Sequence, residues 1–189
     1  MINEKEREDV VRKMLSLIGE DVERPGLKET PARVSRMWKE IYRGYFEKPP
    51  RLAIVNNGED GVEYHDMIND ESYFFSYCEH HMVPFFGQYF FGYIPKDKIL
   101  GLSKISRTVD YFSSRLQIAE RLVHQIADHL EKELNPKGLI LVMRARHLCK
   151  EMRGAKKWDS PSEARAVRGC FEINLNGCKD EFYRRLGSK

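Results

Sequence analysis

The chain has 189 residues, with 32 Lys and Arg against 29 Asp and Glu for a formal net charge of +3. That length suits one ordinary domain, with or without a helical arm, and speaks against a second catalytic domain. The small net charge speaks against a nucleic-acid coat, the charged opening MINEKEREDVVRKML against a secretory leader, and the lack of an apolar run near about 18 residues against a membrane span. A soluble, cytoplasmic protein is expected, with neither nucleic acid nor membrane as a partner.

Val10, Val11, Met14, Leu15 and Ile18 recur at helical spacing, predicting an amphipathic helix over residues 4–19 that Gly19 and Pro25 end. Thr30 as N-cap and Pro31 at the first helical position open a second helix through Val34, Met37, Trp38, Ile41 and Tyr42. Residues 47–61, with Pro-Pro, Asn-Asn-Gly and Asp-Gly, read as loop with at most one short strand. Aromatic and β-branched residues then predict strands over 73–77 and 83–94 on either side of a polar Cys-Glu-His-His turn, with Pro95 closing the second. Residues 103–113 and 116–134 read as helices, the latter with Ile118, Leu122, Val123, Ile126, Ala127, Leu130 and Leu134 on one face and Asn-Pro-Lys-Gly at its end. Strands are predicted over 139–146 and 167–174, and a terminal helix over 179–186. This order indicates an α+β fold: a helical region over 1–46, then a single unit over 47–189 built on an antiparallel sheet covered on one face. A doubly wound fold lacks its Gly-rich phosphate loop.

Tyr77-Cys78-Glu79-His80-His81 places one thiol and two imidazoles where a strand gives way to a turn. Cys and His donors suit Zn²⁺, and Cys78 with His81 forms a C-x-x-H pair able to bite one metal. A third ligand must come from elsewhere, and His147-Leu148-Cys149 is the best source. Three protein ligands rather than four point to an open, hydrolytic centre whose water has a pKa lowered toward about 7, with nearby imidazoles free to move protons. The missing fourth ligand also speaks against a structural zinc site in a nucleic-acid module. Cys170 and Cys178 compete as ligands, but burial is the commoner fate of such cysteines. Four scattered cysteines in an intracellular chain do not suggest a disulfide framework.

Lys104 and Arg107, one helical turn apart, form a basic group that suits polyphosphate, as do Arg153, Lys156 and Lys157, and the helix start at Ser103 favours anions. A solvated charged face is the commoner reading of such spacing. Glu120 borders the apolar face of its helix; its carboxylate matches the paired donors of guanine, while pairing with Arg121 or His124 at the surface is the commoner case.

The segments LKETPARVSRMW, YCEHHMVPF, GYIPKDKILGLSKISR, RLQIAERL and HLCKEMRG together resemble the GTP cyclohydrolase I family over about two thirds of the chain. The resemblance implies the tunnelling fold and a homo-oligomer, a decamer of two pentamers. It also implies hydrolysis of GTP at a cyclic amidine, giving 7,8-dihydroneopterin triphosphate and formate at the entry to folate and pterin synthesis. Residue by residue, it implies Cys78, His81 and Cys149 as Zn²⁺ ligands with a water as the fourth, and His147 and His80 in proton transfer. Glu120 would read guanine; Ser103, Lys104, Arg107 and Arg153 would surround the ribose and triphosphate; Arg33 would reach the triphosphate of a neighbouring subunit. Two segments depart from the family pattern. Ala119 stands where a glutamine is usual, and residues 160–166 replace a Thr/Ser-rich stretch. These departures support a second reading, a divergent tunnelling-fold zinc hydrolase acting on another purine or pterin.

Overall fold

The structure is a computed structural model that describes residues 3–187. The described residues up to 47 form one compact unit and those from 48 onward another.

The first unit holds α1 (Glu4–Leu17), α2 (Thr30–Ile41) and a 3-10 turn, Arg43–Tyr45. A capping box starts α1: the Asn3 side chain accepts from the Glu6 amide at 2.8 Å while the Glu6 carboxylate accepts from the Asn3 amide at 2.9 Å. Of the predicted apolar set only Val11 and Leu15 are buried; Val10, Met14 and Ile18 are exposed. Thr30 does not cap α2. Glu29 takes the N-cap position without a side-chain hydrogen bond, and Pro31 remains in the first turn, where its missing N–H costs nothing. Ser35 is fully buried and its hydroxyl accepts from Arg7 Nε at 3.0 Å, tying α1 to α2.

In the second unit β1 (Ile54–Asn56) pairs antiparallel with β4 (Lys98–Leu100). The main sheet has five strands: β2 (Ile68–Cys78), β3 (Pro84–Ile94), β5 (Leu116–Gln117), β6 (Gly138–His147) and β7 (Ser162–Gly169), in the order β5-β2-β3-β6-β7. Every pairing is antiparallel except β2 with the short β5. Three predicted elements differ in extent. β2 begins at Ile68 rather than residue 73. Leu116 and Gln117 leave the predicted helix to pair with Tyr77 and Cys78. The last strand lies over Ser162–Gly169, not 167–174, because Gly169 at φ +60° turns the chain away.

Helices α3 (Ser103–Ser113) and α4 (Ala119–Leu134) cover one face of the sheet. Leu122, Val123, Ile126, Ala127, Leu130 and Leu134 of α4 are buried there, together with Ile105 and Val109 of α3. Asn135, left-handed at φ 48°, ends α4. The predicted one-sided cover is incomplete as a description, since Phe182 of α6 (Cys178–Gly187) and Phe171 bury Ile140 and Val142 on the opposite face. Among the described residues no helix is long and apolar enough to cross a membrane.

Cys170 and Cys178 belong to this second cluster, and the Cys178 thiol donates to the Cys170 carbonyl at 3.4 Å. Burial, then the adjacent Cys178, pushes the Cys170 thiol up from 9.0 to about 11. A folded value above the unfolded one makes the thiol's contribution to stability whole below the unfolded pKa and lost as pH rises through the folded one. Chemical denaturation at a series of pH values should therefore show stability falling between about pH 9 and pH 11, and Cys170→Ala should flatten that decline; an unchanged slope would contradict it.

Candidate metal centre

The candidate metal-ligating residues lie at or just after the ends of two strands, β2 and β6, which flank β3 in the sheet. After β2, residues 79–82 form a four-residue turn closed by Cys78 N donating to Val83 O at 2.9 Å and Met82 N to Cys78 O at 2.7 Å. Met82 at φ 55° accepts the left-handed backbone that this closure needs. Cys78 ends β2 and the turn carries His80 and His81. Two strands away in the sheet order, β6 ends at His147 and passes directly into the one-turn helix α5 (Leu148–Glu151), which carries Cys149. Glu151 is buried and both its oxygens accept from Arg146 Nε, at 3.0 and 3.2 Å, while the Arg146 guanidinium lies 4.5 Å from the Trp158 ring centroid. The short helix is thereby held to its strand.

The ligand atoms of Cys78, His81 and Cys149 all lie within 4.8 Å of one another, the one such cluster among the described residues. Cys78 Sγ is 3.9 Å from His81 Nδ1. Bonds of about 2.3 Å to sulfur and 2.0 Å to nitrogen in a tetrahedral zinc centre put such donors roughly 3.5 Å apart. Little movement is needed to close on an ion. Burial, then the neighbouring Cys78 thiol, raises the Cys149 pKa; two thiolates brought this close call for a cation between them. Two thiols and an imidazole suit zinc and leave one position open. Cys170 and Cys178 lie in the separate cluster on the other face and take no part.

The two remaining histidines flank this group. His80 Nδ1 is 3.7 Å from Cys78 Sγ, and its side chain is exposed. His147 stacks on Phe85, its partner across β3 and β6, with ring centroids 4.9 Å apart and an interplanar angle of 2°. Burial holds its pKa below the usual 6.5, opposed by the nearby Glu120 carboxylate. Glu120 itself is exposed in the first turn of α4, where the helix dipole favours its charge.

A family model for GTP cyclohydrolase I matches residues 7–186 of the chain. The chain is also similar to several proteins named GTP cyclohydrolase 1. That of Clostridium kluyveri strain ATCC 8527 is 42% identical, with all of both chains covered. The Wolinella succinogenes protein is 43% identical over 93% of this chain and 92% of its own. The Helicobacter pylori J99 protein is 44% identical over 82% and 86%. The chain belongs to the GTP cyclohydrolase I family. Its α+β architecture, with the helix pair laid on the sheet, is the tunnelling fold expected of that family.

The other residues matched to GTP cyclohydrolase I motifs are distributed unevenly. Arg153 reaches the cluster, with Nη1 2.7 Å from His81 Nε2. Ser103, Lys104 and Arg107 do not. Near the C-terminal end of α3 the Ser76 hydroxyl donates to Ser113 O at 2.8 Å, whereas Ser106 near the helix start meets Tyr89 OH at 2.9 Å, and Tyr89 donates to Asp70 at 2.6 Å. Tyr89 lies opposite Ser72, six residues before Cys78, so that helix start is on the order of 20 Å along β2 from Cys78 at ~3.3 Å per residue. The anion-binding helix start is also partly used, because the Lys104 and Ile105 amides donate to Gly101 and Leu102 carbonyls at 2.8 and 3.0 Å. Arg33 is exposed on α2 in the first unit. Arg121 pairs with Glu79 rather than with Glu120, and His124 contacts Arg168 at 3.0 Å.

Sequence reading did not single out Arg146 and Glu151 around Cys149, or Gln117 and Glu79 with Arg121 around the turn. Opposite charges adjacent to the ligands were the only signal, and their pairing depends on contacts across elements.

Proposed function

We propose that this protein hydrolyses GTP to 7,8-dihydroneopterin triphosphate and formate, the reaction that opens folate and pterin synthesis, in the cytoplasm. The convergence of Cys78, His81 and Cys149 on one point, flanked by His80 and His147, carries the reading in a chain matched end to end by a relative named GTP cyclohydrolase 1.

Cys78, His81 and Cys149 would hold Zn²⁺. Bound there, zinc would supply Lewis-acid activation of a water for attack on the imidazole ring of guanine. The protein's own residues do the rest. Glu120 accepts two hydrogen bonds from the guanine N1–H and amine. His147, fixed by its stack on Phe85, moves the proton needed as the ring nitrogen leaves, and exposed His80 serves the later proton transfers near the ribose. Arg153 binds the triphosphate. Its contact with His81 Nε2 requires that nitrogen to be an acceptor, which a neutral imidazole ligating through Nδ1 cannot offer. A metal held through Nδ1 would therefore leave the Arg153 guanidinium free for the substrate.

The distance between Ser103, Lys104, Arg107 and the metal cluster supports a homo-oligomer in which those residues, like Arg33, serve the site of another copy; a decamer of two pentamers satisfies this. The assay is direct. Zinc-loaded protein incubated with GTP should release formate and, after oxidation and dephosphorylation, yield fluorescent neopterin. Failure to produce either across pH and metal would refute the reading. Ala119, buried in the core, offers no polar group beside Glu120, the observation behind a second reading as a hydrolase of another purine or pterin. Formate release from such a compound with none from GTP would decide for it.

A further inference from the structure

The turn that carries the metal ligands is fastened to the start of α4 by a polar chain of three side chains. Gln117 is 1% exposed. Its amide nitrogen donates to Phe112 O at 3.0 Å and to Gln125 Oε1 at 2.8 Å, and its amide oxygen accepts from Arg121 Nε at 3.0 Å. Both amide donors and the oxygen are used, which fixes the orientation of the group: the flipped amide would set oxygen against the Phe112 carbonyl. The Arg121 guanidinium then presents Nη2 to the Glu79 carboxylate and, at 3.3 Å, to Leu116 O. Glu79 is bonded a second time through its backbone, N donating to Gln117 O at 3.0 Å. Glu79 lies between the ligand Cys78 and the histidines 80 and 81, and Arg121 directly follows Glu120. A guanidinium suits this post because its rigid fork of donors satisfies several acceptors at once, which an ammonium does not.

We propose that Glu79 and Arg121, held by Gln117, are positioning residues that set the His80–His81 turn against the Glu120 end of α4. The proposal rests on the reading of Cys78, His81 and Cys149 as a metal centre. Neither residue touches metal or substrate; each acts by restricting where the two imidazoles stand. The pair has side-chain exposures of 40% for Arg121 and 33% for Glu79. An ion pair so open to water adds little to global stability. Residues supporting ligands typically govern metal affinity by about 10–100-fold. The two effects therefore separate.

The test uses the full chain as Glu79→Gln, Arg121→Gln and the exchanged double variant Glu79→Arg with Arg121→Glu. Zinc affinity is measured by chelator competition, the cobalt(II) form by its visible spectrum, and the metal-free fold by thermal melting. In each single variant zinc should bind about 10–100-fold more weakly and the cobalt bands should shift, while the metal-free melt of Glu79→Gln stays with the parent; the exchanged pair should regain part of the affinity. Zinc affinity and cobalt spectrum unchanged in both single variants would overturn the proposal. Should a glutamine variant fail to fold, Arg121→Lys, which keeps the charge and loses the fork, should still bind zinc more weakly than the parent, and parental affinity there would count equally against the proposal. GTP turnover is recorded separately on the parent, so a protein that holds zinc but does not open GTP refutes the proposed reaction and leaves this inference standing.

Discussion

Replacing Cys149 with serine should cost more than about a thousandfold in GTP turnover, or roughly 4 kcal/mol of transition-state stabilisation. Cys149 is one of the three donors that converge among the described residues, and it is the one carried by α5. Zinc moves the pKa of a bound water from 15.7 to about 7, so a protein unable to hold it loses its supply of nucleophile near neutrality. The fold should survive, since Glu151 still holds Arg146 and the β3–β6 pairing is untouched. Melting with and without metal distinguishes loss of the site from loss of the fold. Parent protein with zinc at 100 times its dissociation constant should gain about 2.7 kcal/mol, and Cys149→Ser should gain almost none. Removing zinc from the parent with a chelator should reproduce the activity loss reversibly. Substantial turnover by a zinc-free Cys149→Ser protein would remove the basis for the metal reading.

Gly87→Ala should destabilise the second unit by more than about 3 kcal/mol, above the usual range for a single substitution. Gly87 lies in the middle strand of the sheet opposite Ala145. A Cβ there would stand 1.9 Å from the Arg144 carbonyl oxygen, 2.9 Å from its carbon and 3.0 Å from Ala145 Cα. These are backbone atoms of β6, so no side chain can swing aside and the two strands must separate. Phe85 and His147 form the pair two residues further along, next to the turn and to α5. Spreading the ladder at Gly87 should therefore weaken zinc binding as well as lower the denaturation midpoint. Urea unfolding with chelator competition on the same sample checks both; a loss under about 1 kcal/mol would show that the sheet accommodates the methyl group.

Local pattern and metal chemistry made a large part of this protein legible in advance. The helix over 103–113 matches α3, and the apolar face read for the next helix is buried in α4 except for Ile118, which precedes the helix, because both depend on the period of one helix. Cys78 and His81 are ligand types at a spacing that a single turn brings together, and Cys149 follows the next apolar strand. The last strand was misplaced for an equally physical reason. Residues 162–169 hold one β-branched residue, Val167, among Ala, Arg, Ser, Glu and Gly, weak strand formers alone, yet Ala164 and Ala166 face the core that α4 closes and the sheet imposes the conformation.

What the sequence determined by itself was the set of candidate donors and the buried face of α4, since these depend on residue identity and on spacings of a few positions. The tertiary structure alone decided how distant segments meet. Strand register set Phe85 against His147, Arg121 was drawn to Glu79 across 42 positions, and Ser103, Lys104 and Arg107 were kept away from the metal ligands. Each of these depends on where the sheet brings remote backbone together, and no short window of sequence contains that information.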